Sequence, residues 1–427
     1  MGFPPDEKAD MSVASIQCYT MDLESSLKQA GTTRSSSLDR QLSAFDIQPR
    51  TRLVFGEGKI HELGNIVRDL GGARVLIVTD PGIVAAGHFD LALKILEEGG
   101  LKVFVFDQVH ENPTTADVAA CVEIASSNQI DIFVGLGGGS SMDTAKGCNF
   151  ILTNGGRMQD YWGIGKASHP MLPMVAVPTT SGTGSECQSF ALIADEVSHQ
   201  KMACGDSKAA AKVAILDPAL TVSQPRRVTA CTGMDALSHA LETAVTSKRT
   251  LYSSMHALEA FKLLLPNLPI VLNQPEDLVA RGKMQLGAAL AGIAIENSML
   301  GAAHATANPL TAGFDVIHGM AVGVMMPHVI RWNASCQATA NSYAQLARET
   351  RVASSHDSVP HSVNKLVTAI EHILEVTEIP STLSSHGVGE KDLDKLAEGA
   401  SQQWTGNFNP VDMTQADYRS LYSLALI

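Results

Sequence analysis

From residue 74 to residue 146 the chain alternates between short β-branched runs and longer stretches with helical spacing, and few folds accommodate that pattern. RVLIVTD (74–80), KVFVFDQV (102–109) and DIFVGLGGGSS (131–141) read as strands. FDLALKILEEGG (89–100), with its Gly-Gly stop, and TADVAACVEIASSNQ (115–129) read as the helices between them. Strands alternating with helices pair in parallel through right-handed crossovers. PMVAVPTTSGTGSE (173–186) and KVAILDPAL (212–220) extend the series, after which β-branched runs nearly vanish. DALSHALETAV (235–245), LEAFKLLLPNLPIVL (258–272) and VNKLVTAIEHILEV (363–376) then carry a 3.6-residue period. The prediction is an α/β domain over 48–220, with a Rossmann-like parallel sheet, followed by an all-α domain over 221–427. Residues 1–47 are polar, aperiodic and Ser/Thr-rich, and read as a flexible extension.

Charge and cysteine usage exclude several function classes. The 427 residues carry 44 acidic and 31 basic side chains, a formal net charge of −13, which repels nucleic acid and anionic lipid. Seven cysteines occur without a CxxC pair, which suits reduced thiols in the cytoplasm. No unbroken apolar run reaches the ~18 residues of a membrane-spanning helix, and the acid-containing N-terminus lacks the features of a signal or transit peptide. No nucleic-acid or membrane partner is expected.

GLGGGSSMDTAK (135–146) follows a strand and opens a helix. Gly137, Gly138 and Gly139 let backbone approach a pyrophosphate, the helix N-terminus supplies an anion site, and Ser140 and Ser141 add hydroxyls. An ordinary tight βα loop is the competing reading, because a dinucleotide fingerprint normally occupies the first βα turn. The first turn here carries Thr79 and Asp80. A carboxylate there can accept from an adenosine ribose and repel a 2′-phosphate, favouring NAD over NADP, or it can cap the helix that begins at Pro81. VPTTSGTGSE (177–186) is a second polar turn after a strand, where Thr179, Thr180, Ser181 and Thr183 suit either cofactor hydrogen bonds or helix capping.

In GMDALSHALE (233–242), Asp235 and His239 lie four apart and share a helix face. Such a pair can hold a divalent cation, or be a surface pair. His304 sits among alanines and glycines in GAAHATANPL (301–310), and His318 precedes a glycine in DVIHGM (315–320). One carboxylate with three neutral imidazoles would suit Fe²⁺, Zn²⁺, Co²⁺ or Ni²⁺. Sequence alone does not bring the four together.

These motifs, with LVFGEGKI (53–60), ENPTTADV (111–118) and NFNPVDMT (407–414), resemble the iron-containing (group III) alcohol dehydrogenases of the dehydroquinate synthase-like fold over about residues 50–420. The resemblance implies NAD(P) on the α/β domain and a metal held at the cleft by the helical domain. It places Asp235, His239, His304 and His318 on ligand positions, and Asp80, Asn112, Gly138, Gly139, Ser140, Asp143, Thr179, Thr180, Thr183 and Lys201 on cofactor contacts. Asp143 with Lys146 is otherwise a plain helix pair, and Lys201 a solvated lysine. One departure stands out: where the family often has a proton-relaying histidine, one turn after the third ligand, this chain has Asn308. An amide can position water or substrate but cannot take a proton. His328 in MPHVIRW reads better as a core or capping residue than as a substitute base. The expectation is an NAD-dependent alcohol dehydrogenase using Fe²⁺, or alternatively Zn²⁺ or another divalent transition metal, on a primary alcohol or aldehyde, assembled as a homodimer or larger homo-oligomer. A hydroxyacid–oxoacid transhydrogenase or another NAD- and metal-dependent enzyme of the same fold, and a non-enzymatic nucleotide-binding oligomer, are the alternatives.

Overall fold

The computed structural model describes residues 44–197 and 200–427, so the expected extension lies, apart from residues 44–47, outside them. Asp46–Ile427 forms one compact unit. Its main sheet contains β1 (Arg52–Phe55), β2 (Arg74–Val78), β3 (Lys102–Phe106), β4 (Ile132–Gly137), β6 (Met174–Pro178) and β9 (Val213–Leu216), all parallel, in the order β1-β9-β6-β4-β2-β3. β5 (Gly163–Ile164), β7 (Phe190–Ala194) and β8 (Lys201–Gly205) form a second small sheet, with β7 and β8 antiparallel. That hairpin went unpredicted because FALIA and KMACG are short and alanine-containing, with little β-branched signal.

The strands are apolar almost throughout because helices cover both faces of the sheet. Val75, Ile77, Val134 and Leu136 pack with α1 (Leu63–Asp69) and α3 (His88–Glu98), which flank the short α2 (Pro81–Ala85). Leu76, Val78 and Phe133, on the opposite face of the pleat, pack with α4 (Thr115–Ser127) and α5 (Gly139–Asn154). β2 pairs with both β3 and β4, so the chain steps outward to β3 and then returns past β2. The C-terminal ends of β2 and β4 thus flank the crevice where strand order reverses, the usual ligand position in open parallel sheets.

From Arg226 onward the regular structure is helical: α6 (Arg226–Thr243), α7 (Leu251–Asn273), α8 (Leu278–Glu296), α9 (Ala302–Phe314), α10 (His318–Asn333), α11 (Gln337–Glu349), α12 (Val359–Val376), α13 (Leu393–Ser401) and α14 (Gln415–Leu424), with short 3₁₀ turns between them. By length and composition alone α7 and α8 are apolar enough to cross a membrane, which corrects the expectation drawn from unbroken runs. Both are packed helices of this fold, with 50% and 67% of those apolar windows buried. Leu286, Ala289 and Ile293 of α8 reach the sheet face lined by Ala214 and Leu216, which makes the packing continuous from sheet to helices.

The crossing of α6 and α10 depends on a missing side chain. A Cβ on Gly319 would lie 2.0 Å from the carbonyl oxygen of Cys231, so only glycine lets the two backbones meet. Gly319→Ala is therefore expected to push the start of α10 away from α6 and to lower stability by about 1–3 kcal/mol. Thermal denaturation checks this, and an unchanged melting temperature would mean that the contact is readily relieved.

Candidate functional site

Asp235 and His239 project from one face of α6, His304 from the first turn of α9 and His318 from the first residue of α10. All four side chains converge. The Oδ1 of Asp235 lies 3.4 Å from His239 Nε2, 3.5 Å from His304 Nε2 and 3.8 Å from His318 Nε2. Ligand atoms of Asp235, His239 and His304 all fall within 4.8 Å of one another. Four donors bound at about 2.1 Å to one tetrahedral ion would stand about 3.4 Å apart. Asp235 Oδ1 and His304 Nε2 are also buried without a hydrogen-bond partner, which is the condition of donors awaiting a cation. The residues fit a divalent metal.

The electrostatics keep the set close to ligating form. Burial disfavours charge on Asp235, yet the imidazoles of His239, His304 and His318 hold its carboxyl well below the usual carboxylate range. Burial pushes His239 down despite Asp235, and pushes His318 down to about 3. His304 goes the other way: against burial, Glu242 and Asp235 raise it to about 9. Without a metal, the site thus holds its one imidazolium proton on His304, between two carboxylates.

Glu242 is the candidate site residue that sequence reasoning missed. Its carboxylate is 4% exposed, accepts the Ala303 N–H at 2.7 Å through Oε1 and meets His304 Nδ1 at 2.5 Å through Oε2. Holding Nδ1 leaves Nε2 aimed at Asp235, so Glu242 would fix both the tautomer and the ring orientation of His304 as a ligand. The available signal was its place at the end of GMDALSHALE, three residues after His239. Asn409, in the NFNPVDMT segment, has a related task, because its Oδ1 accepts the Ala302 N–H at 3.2 Å and so caps α9 from the C-terminal region.

A second group of side chains lines the crevice between β2 and β4. Asp80 Oδ1 caps α2 by accepting from Gly82 N (2.9 Å) and Ile83 N (3.1 Å). Its Oδ2 lies 3.3 Å from where a Cβ on Gly137 would sit and so faces the glycine turn. One oxygen meets the capping reading, and the other is turned toward the crevice. Gly137 has φ +144°, Gly138 caps α5, and Gly139 and Ser140 open it. A Cβ on Gly138 would touch Thr180 at 3.4 Å and one on Gly139 would strike Thr183 at 2.8 Å, which brings the two polar turns into contact. The hydroxyls of Thr79, Ser141, Thr179 and Ser181 are buried without a partner. Orphaned hydroxyls around strand ends and a helix N-terminus fit a ligand rich in phosphate and ribose oxygens.

The remaining sequence candidates fall into four places. Asp143 Oδ1 accepts from Ser185 Oγ (2.7 Å) and Oδ2 from Leu192 N (3.2 Å). The wholly buried Lys146 ammonium donates to Ser185 O and Oγ at 2.7 Å and to Phe190 O at 3.0 Å, so this helix pair ties α5 to the turn after β6 and to β7. Burial pushes the Asp143 carboxyl up and the Lys146 amine down, each opposed by the other's charge. Lys201 Nζ stands 3.4 Å from Oδ1 of Asn112, a residue in left-handed conformation (φ 55°). Asn308, one turn beyond His304, donates from Nδ2 to Gln403 Oε1 at 2.9 Å. His328 is ten residues along α10 from His318, about 15 Å away, and burial pushes its imidazole pKa down.

Comparison with known proteins decides the family. The family described as iron-containing alcohol dehydrogenase matches residues 49–218, and its C-terminal counterpart matches residues 229–426. This chain belongs to the iron-containing alcohol dehydrogenases. It is 34% identical over 385 residues to the NAD-dependent methanol dehydrogenase of Bacillus methanolicus, which covers 90% of this chain and 100% of that one. It superposes on 1,3-propanediol oxidoreductase with a TM-score of 0.87 at 32% identity, covering 90% of this chain and 100% of the other. Sulfoacetaldehyde reductase from Bifidobacterium kashiwanohense, solved with NAD⁺, gives a TM-score of 0.81 at 28% identity, covering 90% and 99%. The chain is accordingly an oxidoreductase of this metal- and nicotinamide-dependent family.

Two outcomes follow from the metal cluster. Glu242→Gln is expected to weaken metal binding about 10–100-fold, read by competition with a chromogenic chelator; unchanged affinity would remove Glu242 from the site. Because the folded pKa of His304 is raised from 6.5 to about 9, its protonated form stabilises the metal-free protein fully below pH 6.5, and that contribution is lost as pH rises through 9. Metal competes with this proton, so apparent affinity should climb with pH up to about 9 and loading should release a proton. Calorimetry in buffers of different ionisation heat measures the release.

Proposed function

We propose that the chain interconverts small primary alcohols and aldehydes with NAD(H), with the cofactor on residues 48–220 and the metal on residues 221–427. The observation that carries this reading is the convergence of Asp235, His239, His304 and His318 on one point, with orphaned atoms facing it. Fe²⁺ is the metal the family favours, and Zn²⁺ also suits a shell of one oxygen and three nitrogens. A metal held there supplies Lewis acidity toward an alcohol or carbonyl oxygen, and nicotinamide supplies the hydride acceptor or donor.

The protein's own side chains do the rest. The glycine turn and the hydroxyls of Thr79, Ser141, Thr179 and Ser181 bind the cofactor's phosphates and sugars, and Ser140, Thr180 and Thr183 stand beside them. Asp80 Oδ2 accepts from the adenosine ribose and repels a 2′-phosphate. Asn112 and Lys201 form one wall of the cofactor cleft, and the Asp143–Lys146–Ser185 node keeps α5 and the turn after β6 in register. Asn308 positions substrate or water through its amide, and the alcohol proton leaves through water, because no base occupies that position. The enzyme works in the cytoplasm as a homodimer or larger homo-oligomer, a setting that accommodates the free thiols of Cys121, Cys148, Cys187, Cys204, Cys231 and Cys336.

The deciding experiment is His239→Ala, with metal content and alcohol oxidation measured together. Both should fall to background, and retention of both would overturn the assignment. Wild-type enzyme should prefer NAD, and Asp80→Ser should shrink its NAD-over-NADP preference by on the order of tenfold. A wild-type preference for NADP in initial-rate comparisons would refute the role given to Asp80.

A further inference from the structure

At the start of α6 two cations stand where a helix favours anions. Arg226 and Arg227 are its first two residues, its first turn has no acidic residue, and no side chain caps its N-terminus. First-turn N–H groups have no partner within a helix, and the aligned peptide dipoles make this end positive. Two guanidiniums add to that charge, although cations suit the opposite end of a helix. α10, whose third residue is Met320, also begins without an acidic residue or a side-chain cap. In a chain of net charge −13 this is a local exception.

A cavity of about 480 Å³ opens at that point, lined by Arg226, Arg227 and Ala230 of α6 and by Met320 of α10. The loop after α12 supplies Glu378, Pro380 and His386 to its wall. Small-molecule sites commonly measure about 300–1,000 Å³. Among the described residues, no metal ligand and no residue of the glycine or threonine turn borders it. Arg226 is held in place, donating from Nη1 to Leu272 O at 2.6 Å and from Nη2 to Val376 O at 3.3 Å and Glu378 Oε1 at 3.0 Å. That ion pair is solvated, with side chains 45% and 74% exposed, so it contributes little and yields to a better anion. Arg227 has no hydrogen bond or ion pair among the described residues. His386 Nε2 donates to Pro380 O at 3.2 Å, which ties the two lining residues of the loop together. The α6 and α10 side is apolar, since Ala230 belongs to the helical core and Met320 packs against it.

We propose that this cavity binds a phosphate monoester carried on a compact apolar body, with the phosphate on Arg227, Arg226 and the α6 N-terminus and the body against Met320 and Pro380. Two guanidiniums and the first-turn N–H groups offer more donors than the two oxygens of a carboxylate can use, whereas a phosphate monoester brings three oxygens and nearly two charges. Glu378 holds the place of that anion on Arg226 and swings outward when the phosphate arrives. Ala230 and Met320 adjoin Cys231 and Gly319, at which α6 and α10 meet, so the bound molecule touches both helices beside their crossing.

The test is isothermal titration calorimetry on the metal-loaded full chain, saturated with NAD⁺ so that the cofactor crevice is filled. Phenyl phosphate should bind about tenfold more tightly than inorganic phosphate, through its buried ring, and about tenfold more tightly than benzoate, through its extra oxygen and charge. Arg227→Gln should weaken phenyl phosphate on the order of tenfold, and Glu378→Gln, which removes the competing carboxylate, should strengthen it about threefold. Phenyl phosphate should also raise the melting temperature of the wild type and do so less in Arg227→Gln. Competition between phenyl phosphate and NAD⁺ would place the probe in the cofactor crevice and overturn the proposal. So would equal affinity for the three probes, no binding of any, or an affinity for phenyl phosphate that neither variant changes. The wild-type ranking and Glu378→Gln decide the matter even where Arg227→Gln does not fold.

Discussion

A carboxylate as buried as Asp235, 5% exposed, persists only if something offsets the loss of water, and three imidazoles from three different helices do so. The rest of the helical half can be understood as the scaffold for that meeting. α6 places Asp235 and His239 one turn apart, Gly319 lets α10 close on α6 until His318 arrives, and the alanines around His304 let α9 approach. Glu242 then completes the arrangement from behind by holding His304 Nδ1 and the α9 N-terminus with a single carboxylate. In the metal-free state the proton on His304 stands in for the positive charge that a cation would bring.

The sheet half is organised by a different constraint, namely that unsatisfied polar groups collect where the strands end. β2, β4 and β6 run parallel and side by side, so their C-terminal turns share one edge. Asp80, the glycine turn and the threonine turn meet there because chain order reverses between β2 and β4. Glycine at positions 138 and 139 lets the two turns touch. The same region holds the Asp143–Lys146–Ser185 node, whose charges satisfy one another and leave the neighbouring hydroxyls of Ser141 and Thr179 without partners.

Much of this was legible from pattern. Residues 74–78, 102–106, 132–137, 174–178 and 213–216 form strands where β-branched runs stood, and the glycine turn opens a helix at Gly139 as its setting predicted. Periodicity failed at β7 and β8, where FALIA and KMACG hold too few β-branched residues to signal a hairpin. It also understated α7 and α8, whose apolar character is distributed around interruptions rather than in one run. Of the site, Asp235 and His239 could be paired by spacing alone, whereas His304 and His318 needed the family resemblance, and Glu242 was overlooked although it shares their segment. Asp80 showed why residue type underdetermines role, since one carboxylate both caps a helix and faces the crevice.

By itself the sequence determined the alternation of strand and helix, the position of the glycine turn and the presence of an amide at position 308. Each is local, set by side-chain chemistry and short-range backbone preference. Only the tertiary structure decided that residues 235, 304 and 318 share one point, that Glu242 stands behind His304, and that Gln403 orients Asn308. Those relations join Glu242 to His304 across 62 positions and Asn308 to Gln403 across 95, over helices whose crossing depends on packed volume and on the absence of a single Cβ at Gly319, and no local pattern encodes such distances.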